Sequence, residues 1–279
     1  MSFRKFAAAA ALVAGLQMAG TSAQSISSQC QSTLASIVTD SNASCLNAQA
    51  LVGLVVSTST SANSSVVPTI NSWLTGMCSR PACTNDTLAS VVQQVTSGCS
   101  AELGSLGLAN VDAGELTTLV QTAYPTVRQV ACLGDTSNNN SLCLTETLNN
   151  LEPYTGALSV SNIESLASQI MGGTVPNLPS NVTCTDCTKA AYNIVQQKFG
   201  DLTSGFSSDI SSTCGASFTD GTQPASVTQL ATDSTASTTT SSTSNAAAGM
   251  FSAPIGLAPL AGLAASSLLT AASAFFVLA

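Results

Sequence analysis

The sequence predicts an all-α protein: a disulfide-stapled helical head in two diverged helical units, set between a signal peptide and a disordered Ser/Thr-rich stalk. Three observations predict it. Apolar residues recur at helical spacing through the interior, ten cysteines all follow the N-terminal apolar run, and no stretch of comparable length alternates strictly between apolar and polar residues.

The chain opens with Arg4 and Lys5, then an uncharged apolar run from Phe6 to Leu16, then small residues. Thr21 and Ala23 stand at the −3 and −1 positions of a cleavage before Gln24, the three-part layout of a secretory signal peptide, so residues 1–23 are expected to be removed. The apolar run is too short to span a bilayer.

Helices follow in order. Ile70, Trp73, Leu74, Met77 and Cys78 share one face, with Pro68 where a first-turn proline is tolerated. Leu88, Val91, Val92 and Val95 repeat the pattern behind Asn85 and Asp86, which are expected to cap. Leu116, Leu119, Val120, Ala123 and Tyr124 do so again, before Pro125 is expected to disturb the helix. Ser161 and Glu164 form a capping box ahead of Ile163, Leu166, Ala167, Ile170 and Met171. Asp186 can cap a segment carrying Ala190, Ala191, Ile194 and Val195.

The cysteines are Cys30, Cys45, Cys78, Cys83, Cys99, Cys132, Cys143, Cys184, Cys187 and Cys214. An even count in a secreted chain argues for five disulfides. They divide into two similar sets of five, with close pairs at Cys78–Cys83 and Cys184–Cys187. Each close pair precedes a related helix, Cys83-Thr84 leading to Val92-Gln93-Gln94 and Cys187-Thr188 to Val195-Gln196-Gln197. This suggests a diverged duplication, units 24–131 and 132–221. Since five is odd, two such units require one bridge between them. Cys30–Cys99, Cys45–Cys83, Cys132–Cys214 and Cys143–Cys187, joined by Cys78–Cys184, satisfy the count; spacing alone does not decide among the many other pairings.

From Thr222 to Ala248 about half the residues are Ser or Thr, without apolar periodicity, which reads as an extended O-glycosylated stalk. No charge follows Asp233, and Ile255 to Ala279 is apolar and small, with Pro254, Pro259, Gly256 and Gly262 making a poor spanning helix. Small residues at Ser244, Asn245, Ala246 and Ala247, followed by a spacer and this tail, match a glycosylphosphatidylinositol (GPI) attachment signal. Asn245 is the expected attachment residue, with Ser244 or Gly249 as alternatives, and residues 249–279 the segment exchanged for the lipid. The expected location is the outer face of the plasma membrane or the cell wall.

Composition supports display. The full chain carries 6 basic and 14 acidic residues, and loss of Arg4 and Lys5 brings the mature chain near −10, so nucleic acid is not an expected partner. Charged residues are only 7% of the chain. Asn42, Asn63, Asn85, Asn139 and Asn181 each open an Asn-x-Ser/Thr triplet without proline, and are expected N-glycosylation sites.

Chemistry is not written here. There is no histidine, which removes Ser-His-Asp and Cys-His catalysis and histidine metal sites. Ser161 has no activating base, and Lys189 and Lys198 are isolated. Cys184-x-x-Cys187 lacks the βαβ setting of a redox pair, and a zinc reading with Cys78-x4-Cys83 is loose. Asp112 with Glu115, or Glu146 with Glu152, could bracket a glycosidic bond, but acids at helix starts are more simply capping groups. No catalytic residue, metal or cofactor is therefore expected.

Cys45-Leu46-Asn47, Asn71-Ser72-Trp73-Leu74-Thr75-Gly76-Met77-Cys78, Pro81-Ala82-Cys83-Thr84-Asn85-Asp86-Thr87-Leu88 and Cys184-Thr185-Asp186-Cys187-Thr188-Lys189-Ala190-Ala191-Tyr192-Asn193 resemble a family of uncharacterised GPI-anchored fungal proteins, common in mushroom-forming fungi. The resemblance runs through Cys214-Gly215-Ala216 and implies a wall or plasma-membrane location without an activity. The order Cys30, Cys45, Cys78, Cys83, Cys99, Cys132 is also similar to that of the elicitins, all-α secreted proteins that bind sterols, although the first gap is shorter and four cysteines have no counterpart. The leading expectation is a non-enzymatic surface glycoprotein with a structural, adhesive or protective role. Its expected partners are the GPI lipid and outer leaflet, wall glucan or another surface protein. The competing expectation is a lipid or sterol carrier with a cavity lined by Trp73, Leu74, Met77, Leu119, Val120 and Ile170.

Overall fold

The structure, a computed structural model, describes residues 27–51, 64–105, 111–159, 162–163, 165–166, 178–203 and 207–232. The signal peptide, Asn63, the capping box at Ser161 and Glu164, Ile170, Met171, and everything from Asp233 through the attachment signal at Asn245 lie outside the described residues.

The head is all-α. The first unit holds α1 (Ser28–Thr39), α2 (Val67–Cys78), α3 (Asn85–Gly98), α4 (Ser100–Ser105) and α5 (Ala113–Ala131). The second holds α6 (Cys143–Thr155), α7 (Ser180–Thr183), α8 (Asp186–Lys198), α9 (Gly200–Thr203) and α10 (Ser207–Cys214). Between and after them lie β1 (Leu133–Asp135), β2 (Ser141–Leu142) and β3 (Val227–Gln229), a three-stranded antiparallel sheet in the order β2-β1-β3.

Three expectations about helix ends change. The cap of α3 is Thr84, whose hydroxyl accepts from the Thr87 N–H at 3.1 Å, so Asn85 and Asp86 occupy the first turn. Thr185 caps α8 in the same way, accepting from the Thr188 N–H at 3.2 Å, and Asp186 is likewise inside the helix. A hydroxyl on an extended residue reaches the third N–H, while acids in the first turn add a favourable charge to the helix N-terminus. Pro125 does not interrupt α5, which runs 19 residues through it. A proline costs about 3 kcal/mol in a helix interior. Burial of Ala123 and Thr126 beside it, of Ala131 beyond it, and bridging of the adjoining Cys132 hold both halves in line.

The disulfides are Cys30–Cys99, Cys45–Cys83, Cys78–Cys132, Cys143–Cys187 and Cys184–Cys214. Three expected pairings are present, but Cys132–Cys214 and Cys78–Cys184 are not. Cys132 belongs to the first unit, at the end of α5, where it meets the end of α2. The sets are thus six and four, both even, and no bridge joins them. Local geometry also changes the alignment of the two units. Cys83 and Cys184 each directly precede a capping threonine, so they correspond, whereas Cys187 lies within the first turn of α8.

The units pack as one body. Leu74, Met77, Cys78, Ala131 and Cys132 of the first unit enclose Leu142. Val67, from the start of α2, is buried with Leu151, Leu158 and Leu166. The Thr145 hydroxyl donates to Asn71 Oδ1 across the contact at 2.9 Å. The second unit's own cluster joins Cys143, Cys187, Ala190, Ala191 and Ile194 to Leu133 on β1.

The head also extends beyond the expected boundary at Gly221. Residues 222–232, expected to open the stalk, are folded onto it. The Leu230 N–H donates to Cys132 O at 2.8 Å and the Thr232 N–H to Cys78 O at 2.8 Å. The polar composition of this segment hides Val227, Leu230 and Ala231, which pack against the two main clusters.

Candidate functional site

Four of the five glycosylation triplets fall among the described residues, and all four asparagines are exposed. Asn42 opens a 3-10 turn, Ser41–Leu46, where Asp40 Oδ1 accepts its N–H at 2.8 Å. Asn85 and Asn181 lie in the first turns of α3 and α7. Asn139 stands at the tip of the β1–β2 hairpin, with Asn139 and Asn140 at φ 56° and 58°. Two successive left-handed residues reverse the chain there, a conformation that asparagine tolerates better than most side chains. The threonines and serines of these triplets differ more: Ser44 is exposed, Thr87 and Ser141 are half-buried, and Thr183 is buried.

Three of the four carboxylates considered for catalysis, Asp112, Glu146 and Glu152, are occupied locally. Asp112 caps α5, accepting from the Gly114 and Glu115 N–H groups at 2.8 and 3.3 Å. Glu152 accepts the Leu158 N–H at 2.9 Å, closing the turn after α6. Glu146 accepts from Asn138 Nδ2 at 3.1 Å. One further acid is buried. Asp135, buried at the end of β1, accepts from the Ser137 N–H at 2.8 Å and the Ser137 hydroxyl at 2.6 Å.

Asp135, Glu146 and Cys187 bring ligand-type atoms within 4.8 Å of one another. Cys187 is bridged to Cys143, so its sulfur is not a thiolate and two carboxylates are left. Cys184 and Cys187 bond to different partners, so the Cys-x-x-Cys motif serves neither as a redox pair nor as half a zinc site. All ten cysteines are in disulfides.

Lys189, read as isolated, is well held. Its Nζ donates to Ser217 O at 2.6 Å and to Thr222 Oγ1 at 3.0 Å, and pairs with Asp220 Oδ1 at 3.0 Å. Hydrogen bonds from the Thr222 hydroxyl and N–H, followed by Lys189, hold the Asp220 carboxyl down at about 2. Lys198 is exposed in the last turn of α8, as a solvated face predicts. Arg128, by contrast, is buried on α5, and its Nη2 donates to Arg80 O at 2.5 Å and Thr232 O at 3.3 Å.

Of the residues proposed to line a cavity, Leu74 and Met77 lie inside the cluster around Cys78 and Cys132. Trp73 packs against that cluster and donates its Nε1–H to Leu46 O at 2.8 Å. Leu119 and Val120 are half-buried on α5. No helix among the described residues is long and apolar enough to cross a membrane. Comparison with protein-family models, with curated proteins and with solved structures finds no match for this chain.

Proposed function

We propose that the chain is a non-enzymatic glycoprotein displayed on the outer cell surface by a GPI anchor, with a structural, adhesive or protective role in the plasma membrane or wall. The observation that carries this reading is the pairing of all ten cysteines, which suits folding in an oxidising compartment, between two apolar ends of the sequence. Exposed asparagines in the four described triplets support glycosylation of the head. Asp112 serves as a helix cap and Glu152 closes a turn, which supports a role without catalysis.

Production of the full chain in a eukaryotic host tests it. Phosphatidylinositol-specific phospholipase C is expected to release the protein from intact cells, and N-glycosidase to lower its apparent mass. A surface protein that stays bound after phospholipase treatment and detaches from membranes only in detergent would contradict the anchor.

A second reading, an extracellular lipid or sterol carrier, is favoured by one observation. The six cysteines whose order resembles the elicitins form three bridges among themselves. Mass spectrometry of lipids co-purified with the full chain decides it. A stoichiometric sterol supports the carrier, and its absence under mild extraction opposes it.

A further inference from the structure

Between Cys30 and Thr232, two described stretches lie outside every disulfide loop. Three overlapping bridges cover residues 30–132, and two cover 143–214. The uncovered stretches, 133–142 and 215–232, are the two that hold each other. β3 pairs along β1, with Leu133 opposite Gln229 and Asp135 opposite Val227. The Thr136 N–H donates to Ser226 O at 2.8 Å. All strands among the described residues come from these two stretches.

The final stretch grips both units. Its inner part holds the second: Phe218 is buried near Tyr192 with ring centroids 6.4 Å apart, Lys189 binds Ser217, Asp220 and Thr222, and Asn193 Nδ2 donates to Thr222 O at 2.7 Å. Its outer part crosses to the first unit, where Gln229 Nε2 donates to Gln129 O at 2.9 Å. Leu230 lies over Gly134, where an added Cβ would come within 2.4 Å of its Cδ1. Thr232 is held by Cys78 O and Arg128, beside the Cys78–Cys132 bridge.

We infer that residues 215–232 are a force-yielding strap: tension on the C-terminal tether peels it from the sheet before the disulfide-closed helices give way. The load enters at Thr232, the end nearest the tether. Every attachment of the strap is non-covalent, while the helices on either side of the sheet are cross-linked. Peeling releases the 18 residues beyond Cys214, at most about 60 Å of extended chain. The head thereby gains compliance without losing its bridges. That such tension arises in the cell rests on the surface-anchor reading; the order of yielding does not.

Optical-tweezer stretching of the oxidised full-length chain tests it, with ligation tags inserted between residues 25 and 26 and after Thr240. The earliest extension events should add no more than about 60 Å in total, precede all others, and reverse on relaxation. Leu230→Ala should lower their force at least twofold and leave later events unchanged. Gln229→Ala, altering an exposed side chain, should lower it less and serves if Leu230→Ala fails to fold. A first event longer than this limit, or an initial force insensitive to both substitutions, overturns the strap. Neither outcome bears on the anchor, which phospholipase release tests separately.

Discussion

The stapled helices and the small sheet between them obey different rules. Residues 30–132 and 143–214 are closed by overlapping disulfides. In those regions covalent links limit the unfolded chain, so modest helical packing suffices. The sheet has strands of three, two and three residues, without a bridge of its own. A sheet so small is marginal alone. It persists because Leu133 and Leu142 are buried in two different helical clusters, and because Val227 and Leu230 pack on the same two. The difference teaches where this head is strong and where it yields: cross-linked within each unit, and joined between units by packing and backbone hydrogen bonds.

The largest effect is expected at the Cys78–Cys132 bridge. It closes a separation of 54 residues, worth about 4 kcal/mol in the chain-entropy description. The double substitution Cys78→Ser with Cys132→Ser should cost that order of stability by denaturant titration, and also free the strap that rests on Cys78 O and Cys132 O. A loss below about 1 kcal/mol would show that packing alone closes the first unit.

The strap is the next largest effect. Gly134→Ala forces a methyl against Leu230, an overpacking worth about 1–3 kcal/mol. Amide exchange at Thr136, Leu230 and Thr232 should accelerate together, while exchange in α3 stays unchanged. Uniform acceleration would mean that sheet and helices are one cooperative element. Trp73, the single tryptophan, sits in the first unit and bonds Leu46 O. Trp73→Phe should cost about 1 kcal/mol for the lost hydrogen bond, measured by thermal unfolding.

The smallest effect is in acid. The Asp220 carboxyl is depressed to about 2 in the fold. A depressed carboxyl stabilises above its ordinary value near 3.8 and loses that contribution as pH falls towards 2. The protection factor of the Thr222 amide, taken relative to the intrinsic exchange rate at each pH, should fall between pH 4 and pH 2, and Asp220→Asn should flatten that fall. Exposure of the carboxylate keeps the effect small.

Helices and bridges were legible for physical reasons, and the sheet was not. The faces of α2, α3, α5 and α8 repeat every three to four residues, so Leu74, Leu88, Ala123 and Ile194 announced themselves as buried. Local pairing was less legible. Taking Cys132 as the first cysteine of the second set made both sets odd and forced a bridge between them. The fold resolves this because α5 continues past Pro125 and carries Cys132 back to Cys78. Strands of two or three residues leave no period to detect, and β3 lies in a segment rich in Ser and Thr where Val227, Leu230 and Ala231 read as incidental. Arg128 is not legible in the sequence because its partners, Arg80 O and Thr232 O, are backbone carbonyls distant in sequence, and Asp135 because its burial comes from the sheet.

Peptide mapping of the unreduced full chain shows directly whether the two units are joined without a covalent bridge. Linked peptides are expected for Cys30–Cys99, Cys45–Cys83, Cys78–Cys132, Cys143–Cys187 and Cys184–Cys214, with no cross-link between residues up to 132 and residues from 143 onward. A peptide joining Cys78 to Cys184, or Cys132 to Cys214, would contradict this by making the junction between the units covalent.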